Sequence, residues 1–168
     1  TNQDDFVENN AFASTVEINF SKDSINYTGN ATSNTIDIQL DDNGYILSSS
    51  LEEGLNIILT GKLKGTFTVA SSKDVIVLTL DNVEISAIDG PAINLLTQVK
   101  TFVNTTKNSK NTLTDSQQRI SNTKKGAIYA KSPLIFDSMD SKSGTITVNA
   151  NYKHGVYSDD YIKINDGT

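Results

Sequence analysis

Thr66-Phe67-Thr68-Val69, Ala92-Ile93-Asn94-Leu95, Ala127-Ile128-Tyr129-Ala130 and Gly155-Val156-Tyr157-Ser158 repeat one pattern: small, apolar, outward, apolar. Their first apolar residues, Phe67, Ile93, Ile128 and Val156, lie 26, 35 and 28 residues apart. About 25 residues is the length of chain that makes two or three short strands and returns to stack on itself. The repeat therefore predicts an all-β fold, a parallel β-helix (β-solenoid) of one domain. Function is then expected on a long outer face rather than in a central cleft.

Period-two alternation extends the pattern in both directions. Val16, Ile18 and Phe20 alternate with polar residues, as do Ile36, Ile38 and Leu40, Val83 and Ile85, Ile146 and Val148, and Ile162 and Ile164. The denser run Val75-Ile76-Val77-Leu78-Thr79-Leu80 fits a strand buried on both faces, or one of ambiguous register. Turn chemistry separates the runs at Asp42-Asn43-Gly44, Glu53-Gly54, Thr60-Gly61, Asp81-Asn82, Asp89-Gly90, Ser143-Gly144 and Asp166-Gly167. A sandwich has no reason to reuse one strand sequence. A propeller blade needs a longer period, and a leucine-rich repeat needs asparagine and leucine at offsets absent here. The long middle step is explained by a polar insertion near 115–125. Residues 1–14 read as a polar, partly disordered start, and 15–168 as the solenoid.

Composition narrows the function. The 168 residues carry 14 basic and 20 acidic side chains, a net charge of −6, which argues against nucleic acid and against an anionic membrane surface. No run of about 18 apolar residues exists to insert into a membrane. There is no cysteine, which excludes disulfides and thiolate metal sites. Thr, Ser and Asn make up about a third of the chain, a bias of extracellular β proteins. Thr1-Asn2-Gln3-Asp4-Asp5, without a methionine, reads as a trimmed start from which an export signal has gone. At the other end, Tyr161-Ile162-Lys163-Ile164 is followed by a turn and nothing that caps a solenoid. The expectation is a truncated last coil or end-to-end self-association there.

Taken in order, four stretches carry a resemblance. They are Gly54-Leu-Asn-Ile-Ile-Leu-Thr-Gly-Lys-Leu-Lys-Gly-Thr-Phe-Thr-Val69, Val77-Leu-Thr-Leu-Asp-Asn-Val-Glu-Ile85 with Gly90-Pro-Ala-Ile93, Gly126-Ala-Ile-Tyr-Ala-Lys131, and Gly144-Thr-Ile-Thr-Val-Asn149 with Gly155-Val-Tyr-Ser-Asp-Asp-Tyr-Ile-Lys-Ile164. Together they resemble a family of bacterial carbohydrate-binding-domain proteins. The resemblance implies a right-handed parallel β-helix similar to pectate lyases, export to the bacterial cell surface, lipoprotein-type attachment, binding of plant polysaccharide, and bound calcium. Two departures stand out. Family members usually continue past Asp166-Gly167, and Asn151-Tyr152-Lys153-His154-Gly155 places a bulky basic pair where they more often have small or acidic residues.

For catalysis, a lyase needs a base beside a uronate and cations for the enolate. The chain has a single arginine, Arg119, in the polar insertion, and a single histidine, His154, at a corner, neither on a repeated strand. Asp159 and Asp160 are adjacent, so on a strand they point to opposite sides and make no facing carboxylate pair. The expectation is no enzyme, with polysaccharide lyase activity a distant alternative. For binding, the outward residues of the repeat are Thr68, Asn94, Tyr129 and Tyr157, stacked at about 4.8 Å. Asn94, Tyr129, Lys131 and Tyr157 form a candidate carbohydrate strip, because sugar C–H faces pack on aromatic rings and hydroxyls need polar partners. The plainer alternative is a tyrosine ladder that only stabilises packing, with Lys131 and Asp159 as a surface ion pair. Asp159 and Asp160 are the candidate calcium ligands, ahead of the acid-rich clusters Asp41-Asp42-Asn43 and Asp137 with Asp140. A protein of this charge repels polyuronate unless calcium or a local basic strip bridges them. The rival function is a structural or adhesive surface module that binds protein or itself.

Overall fold

In the computed structural model, described for residues 3–7, 12–119, 124–138 and 144–165, the chain is all-β with one short 3-10 turn at Gln3–Asp5. The strands are β1 (Ser14–Asn19), β2 (Ser24–Thr28), β3 (Ile36–Asp41), β4 (Gly44–Ser49), β5 (Leu55–Lys64), β6 (Thr66–Ser71), β7 (Ile76–Ser86) and β8 (Ile93–Leu95). There follow β9 (Thr101–Thr105), β10 (Lys110–Thr114), β11 (Gly126–Ala130), β12 (Leu134–Phe136), β13 (Thr145–Asn149), β14 (His154–Ser158) and β15 (Ile162–Ile164).

Two mixed sheets organise these strands. One orders β15-β12-β9-β7-β5-β1-β2, with β10 and β13 branching from β7; the other orders β14-β11-β8-β6-β4-β3. From β4 onward every pairing is parallel and joins strands one pass apart. The four repeats of the sequence fall on β6, β8, β11 and β14 and pair residue for residue. Phe67, Ile93, Ile128 and Val156 form one row, and Thr68, Asn94, Tyr129 and Tyr157 the next. Inside, Val16, Ile57, Leu78 and Val103 stack in the same way from the opposite sheet, all in one hydrophobic core.

Two features depart from the sequence reading, and a third agrees with one of its alternatives. The alternating runs at residues 16–20 and 36–40 belong to antiparallel hairpins, β1–β2 and β3–β4, so the sheets are mixed. Asp41 pairs with Gly44 and Asn19 with Ser24, and turns this short cannot make the crossover a parallel pair requires. Gly44, at φ 133°, also packs so close to β6 that a Cβ would lie 2.0 Å from the Thr66 carbonyl oxygen. Next, Thr60-Gly61 and Asp81-Asn82 bend their strands without ending them. Gly61 and Asn82 take φ of 84° and 55°, and the register slips between Leu59 and Gly61 while pairing continues. This bulge turns β5 and β7 onto the face shared with β10 and β13. Finally, the dense run at 75–80 is buried on both faces. Ile76, Leu78 and Leu80 enter the core, while Val77 packs outside with Val7, Phe12, Phe102 and Ile135.

That outer cluster is closed by the start of the chain. Val7 donates its amide to Asp137 Oδ2 at 2.8 Å, and Lys100 Nζ reaches Asp5 Oδ1 at 3.0 Å. Tyr161 Oη donates to the same Asp5 oxygen at 2.8 Å, and Asn165 Nδ2 to the Asp5 carbonyl. Residues 3–7 thus form a strap over the outside of the sheet.

Candidate functional site

The stacked row Thr68, Asn94, Tyr129 and Tyr157 runs up the outer face of the second sheet. Ile46 extends it below Thr68. The row alternates with buried apolar neighbours, so strand periodicity alone aims these side chains outward. Rings of Tyr129 and Tyr157 lie 6.2 Å apart at 9° between planes, within the range of offset aromatic pairs. The His154 ring, at the start of β14, lies 5.7 Å from the Tyr157 ring at 22° between planes. Lys125 Nζ stands 5.8 Å from the Tyr157 centroid.

Burial separates the predicted strip residues. Tyr129 is 5% exposed and Asn94 6%, whereas Tyr157 is half-buried and Lys131 exposed. Tyr129 therefore cannot offer a ring face to a ligand; in the ladder its part is structural, while Tyr157 is the reachable aromatic. The Tyr129 hydroxyl donates to Asp159 Oδ2. Burial, then that carboxylate, pushes the Tyr129 phenol up to about 12. Asp159 is thus engaged by Tyr129 rather than paired with Lys131. Strands β11 and β14 end at Ala130 and Ser158, which leaves Lys131 and Asp159 just past the ladder.

Calcium takes six to eight oxygens. Among the described residues no three His, Cys, Asp or Glu side chains gather. Asp160, exposed beside Asp159, turns its own backbone N–H to Ser158 Oγ at 3.1 Å. The pair offers carboxylate oxygens from one edge only, so water or a ligand would have to supply most of a shell. Asp140, also considered for calcium, lies outside the described residues.

Arg119 is placed where sequence could not put it. Its Nη2 meets Asp115 Oδ2 at 2.5 Å with the two side chains 2% and 0% exposed, and its guanidinium lies 4.6 Å over the Tyr152 ring. Asn151 donates its amide to Asp115 as well. The described part of the 115–125 insertion is thereby pinned to the loop before β14, and to the turn after β7 through Ser116 N–Gly90 O and Gly90 N–Gln118 O.

That turn frames a groove of 250 Å³ beside the ladder, lined by Asn43, Thr68, Asp89, Pro91, Asn94 and Lys124 among others. Thr66 Oγ1 fixes it by donating to the Pro91 carbonyl at 2.7 Å. His154, Lys124 and Lys125 are the members of this face that the repeat pattern missed. The signal was present in Lys124-Lys125 and Lys153-His154, two basic pairs that flank β11 and β14.

The geometry is thus a stacked all-β scaffold with one partly exposed, lysine-edged aromatic row and a groove beside it. The chain belongs to a family of carbohydrate-binding domain-containing proteins, whose family model matches residues 51–168. That span contains the whole row from Thr68 to Tyr157 and most of the groove. Membership supports binding of polysaccharide. No curated protein and no solved structure matches the chain.

Proposed function

We propose that this protein is a non-catalytic polysaccharide-binding module of the bacterial cell surface, built as a right-handed parallel β-helix and directed at plant-wall glycans. The observation that carries the reading is Tyr157, a half-buried ring beside the Tyr129 and His154 rings, with the Lys125 ammonium 5.8 Å from its centroid. The ring supplies a packing surface for sugar C–H groups, and the cations supply donors for hydroxyl or carboxylate oxygens. Lys153 lies 5.4 Å over Tyr152 nearby, so this face is locally basic on a protein of net charge −6. A basic strip lets a polyuronate approach without a calcium bridge. Against catalysis stands Arg119, whose charge is buried in its pair with Asp115 and cannot reach a substrate.

Retention on immobilised polygalacturonate and on cellulose, each with calcium and with chelator, tests the reading. Retention that survives chelator is expected on at least one of the two supports, falling with salt on polygalacturonate, together with its loss in Tyr157→Ala while the far-ultraviolet β signal stays unchanged. Loss in chelator would instead assign the contact to calcium at Asp159 and Asp160. Failure on both supports would overturn glycan binding.

One observation favours a second role, association through the last pass. Ile162 and Ile164 are 43% and 72% exposed, and β13, β14 and β15 each pair on one side only. Sedimentation velocity across a concentration series should then show oligomers that Ile164→Lys removes; a monomer throughout would exclude this.

A further inference from the structure

Asn94 sits in the middle of the outward row, 6% exposed, and its Oδ1 is buried with no hydrogen-bond partner among the described residues. A buried acceptor left unpaired is costly, so its presence calls for an explanation. The rest of the amide is loosely held: Nδ2 makes only a 3.4 Å contact to Thr68 Oγ1. The last side-chain torsion of an amide is broad, so a donor entering the adjoining groove could meet Oδ1 after a modest rotation. Asn94 lines that groove, and its Asp89–Pro91 wall is held by bonds donated from Thr66 and Ser116 and by one from Gly90 to the Gln118 carbonyl.

We propose that this groove is a subsite for one neutral sugar residue, read through a hydroxyl that donates to Asn94 Oδ1. The proposal rests on the polysaccharide-binding reading and adds a second contact point to it. The missing partner is a donor, which selects a hydroxyl over a phosphate or carboxylate. Asp89 in the lining disfavours an anion, and Lys124, which makes no ion pair among the described residues, disfavours a metal cation. Lys124 can instead donate to the oxygen of a neighbouring hydroxyl. The volume of 250 Å³ equals about eight waters at 30 Å³ each, room for a single pyranose ring and not for a chain. Asn94 lies two rungs from Tyr157, roughly 10 Å at the usual strand spacing. A short oligosaccharide spans that distance, so one glycan can lie on Tyr157 and seat a residue in the groove.

The test is NMR titration of the ¹⁵N-labelled protein with cellotetraose and with tetragalacturonate, following the Asn94 side-chain amide. A shift of that amide on the unaltered chain is expected, with affinity about tenfold weaker in Asn94→Leu, the loss of one good hydrogen bond. Tyr157→Ala should weaken binding yet leave the Asn94 shift visible at saturation. Sugar binding that moves Tyr157 while the Asn94 amide and the Asn94→Leu affinity stay unchanged would overturn the subsite and leave the proposed function standing. Binding of neither sugar would overturn both.

Discussion

Tyr129 ties two rungs by two forces at once, through its ring against Tyr157 and its hydroxyl on Asp159. Tyr129→Phe keeps the first and deletes the second, and should cost about 1 kcal/mol, the net worth of one such bond. The pH dependence has a definite sign. The folded phenol is raised to about 12 from an ordinary value near 10. A group whose acid form the fold favours contributes fully below its ordinary value and loses that contribution as pH rises through the folded one. Urea midpoints for the two proteins should therefore differ at pH 8 and converge above pH 12; a gap that persists would mean the hydroxyl acts otherwise. Gly126, at the start of the same strand, leaves no room for a side chain. A Cβ there would lie 2.4 Å from the Ile128 carbonyl oxygen and 2.9 Å from the Tyr157 amide nitrogen. Gly126→Ala should destabilise by about 1–3 kcal/mol and displace the Tyr157 backbone, readable by denaturation and by loss of glycan retention.

Strands whose outward residue recurs, β6, β8, β11 and β14, were legible because each must bury the same two apolar positions against the same neighbours. The same logic missed β4. Gly44-Tyr45-Ile46-Leu47 has the repeat's form, but its glycine follows Asp42-Asn43 and reads as the end of a turn. Hairpins at residues 16–28 and 36–49 were hidden because alternation reports burial of one face and says nothing of strand direction. The insertion was legible as polar chain, yet its anchor was not, since Asp115 and Arg119 stand four apart in a segment that looks solvated. Their pair holds a buried charge in place. Asp115→Ala should therefore cost about 3–5 kcal/mol, because Arg119, whose Nε and Nη1 have no hydrogen-bond partner among the described residues, would be left buried without its counter-charge. Replacing both partners by apolar residues, Asp115→Leu with Arg119→Met, should cost less than the single change. Chemical denaturation of the three proteins checks the order, and a double variant worse than Asp115→Ala would show that the pair is worth more than its desolvation.

At the scale of the molecule, the start of the chain acts on passes far from it in sequence. Asp5 is 4% exposed and receives Lys100, Tyr161 and the more distant Lys163 at 3.6 Å. Burial by itself would raise this carboxyl; the bonds from Tyr161 and Lys100 and the two ammonium charges outweigh it and hold the carboxyl below its ordinary value. A depressed carboxyl contributes stability above its unfolded value, near 3.9, and loses it as pH falls through the lower folded value. The strap should consequently release on acidification below about pH 4. It covers Val77, Phe102 and Ile135, an apolar patch on a sheet that is otherwise complete without it, because the core strands pair and pack among themselves. Release should therefore expose a dye-binding apolar surface before the sheet unfolds. Fluorescence of a hydrophobic dye should rise in acid while the far-ultraviolet β signal stays constant, and Asp5→Asn, which keeps the size but loses the charge facing Lys100 and Lys163, should move that rise toward neutral pH. If dye binding and loss of β signal coincide at every pH in both proteins, the strap is one cooperative unit with the sheet.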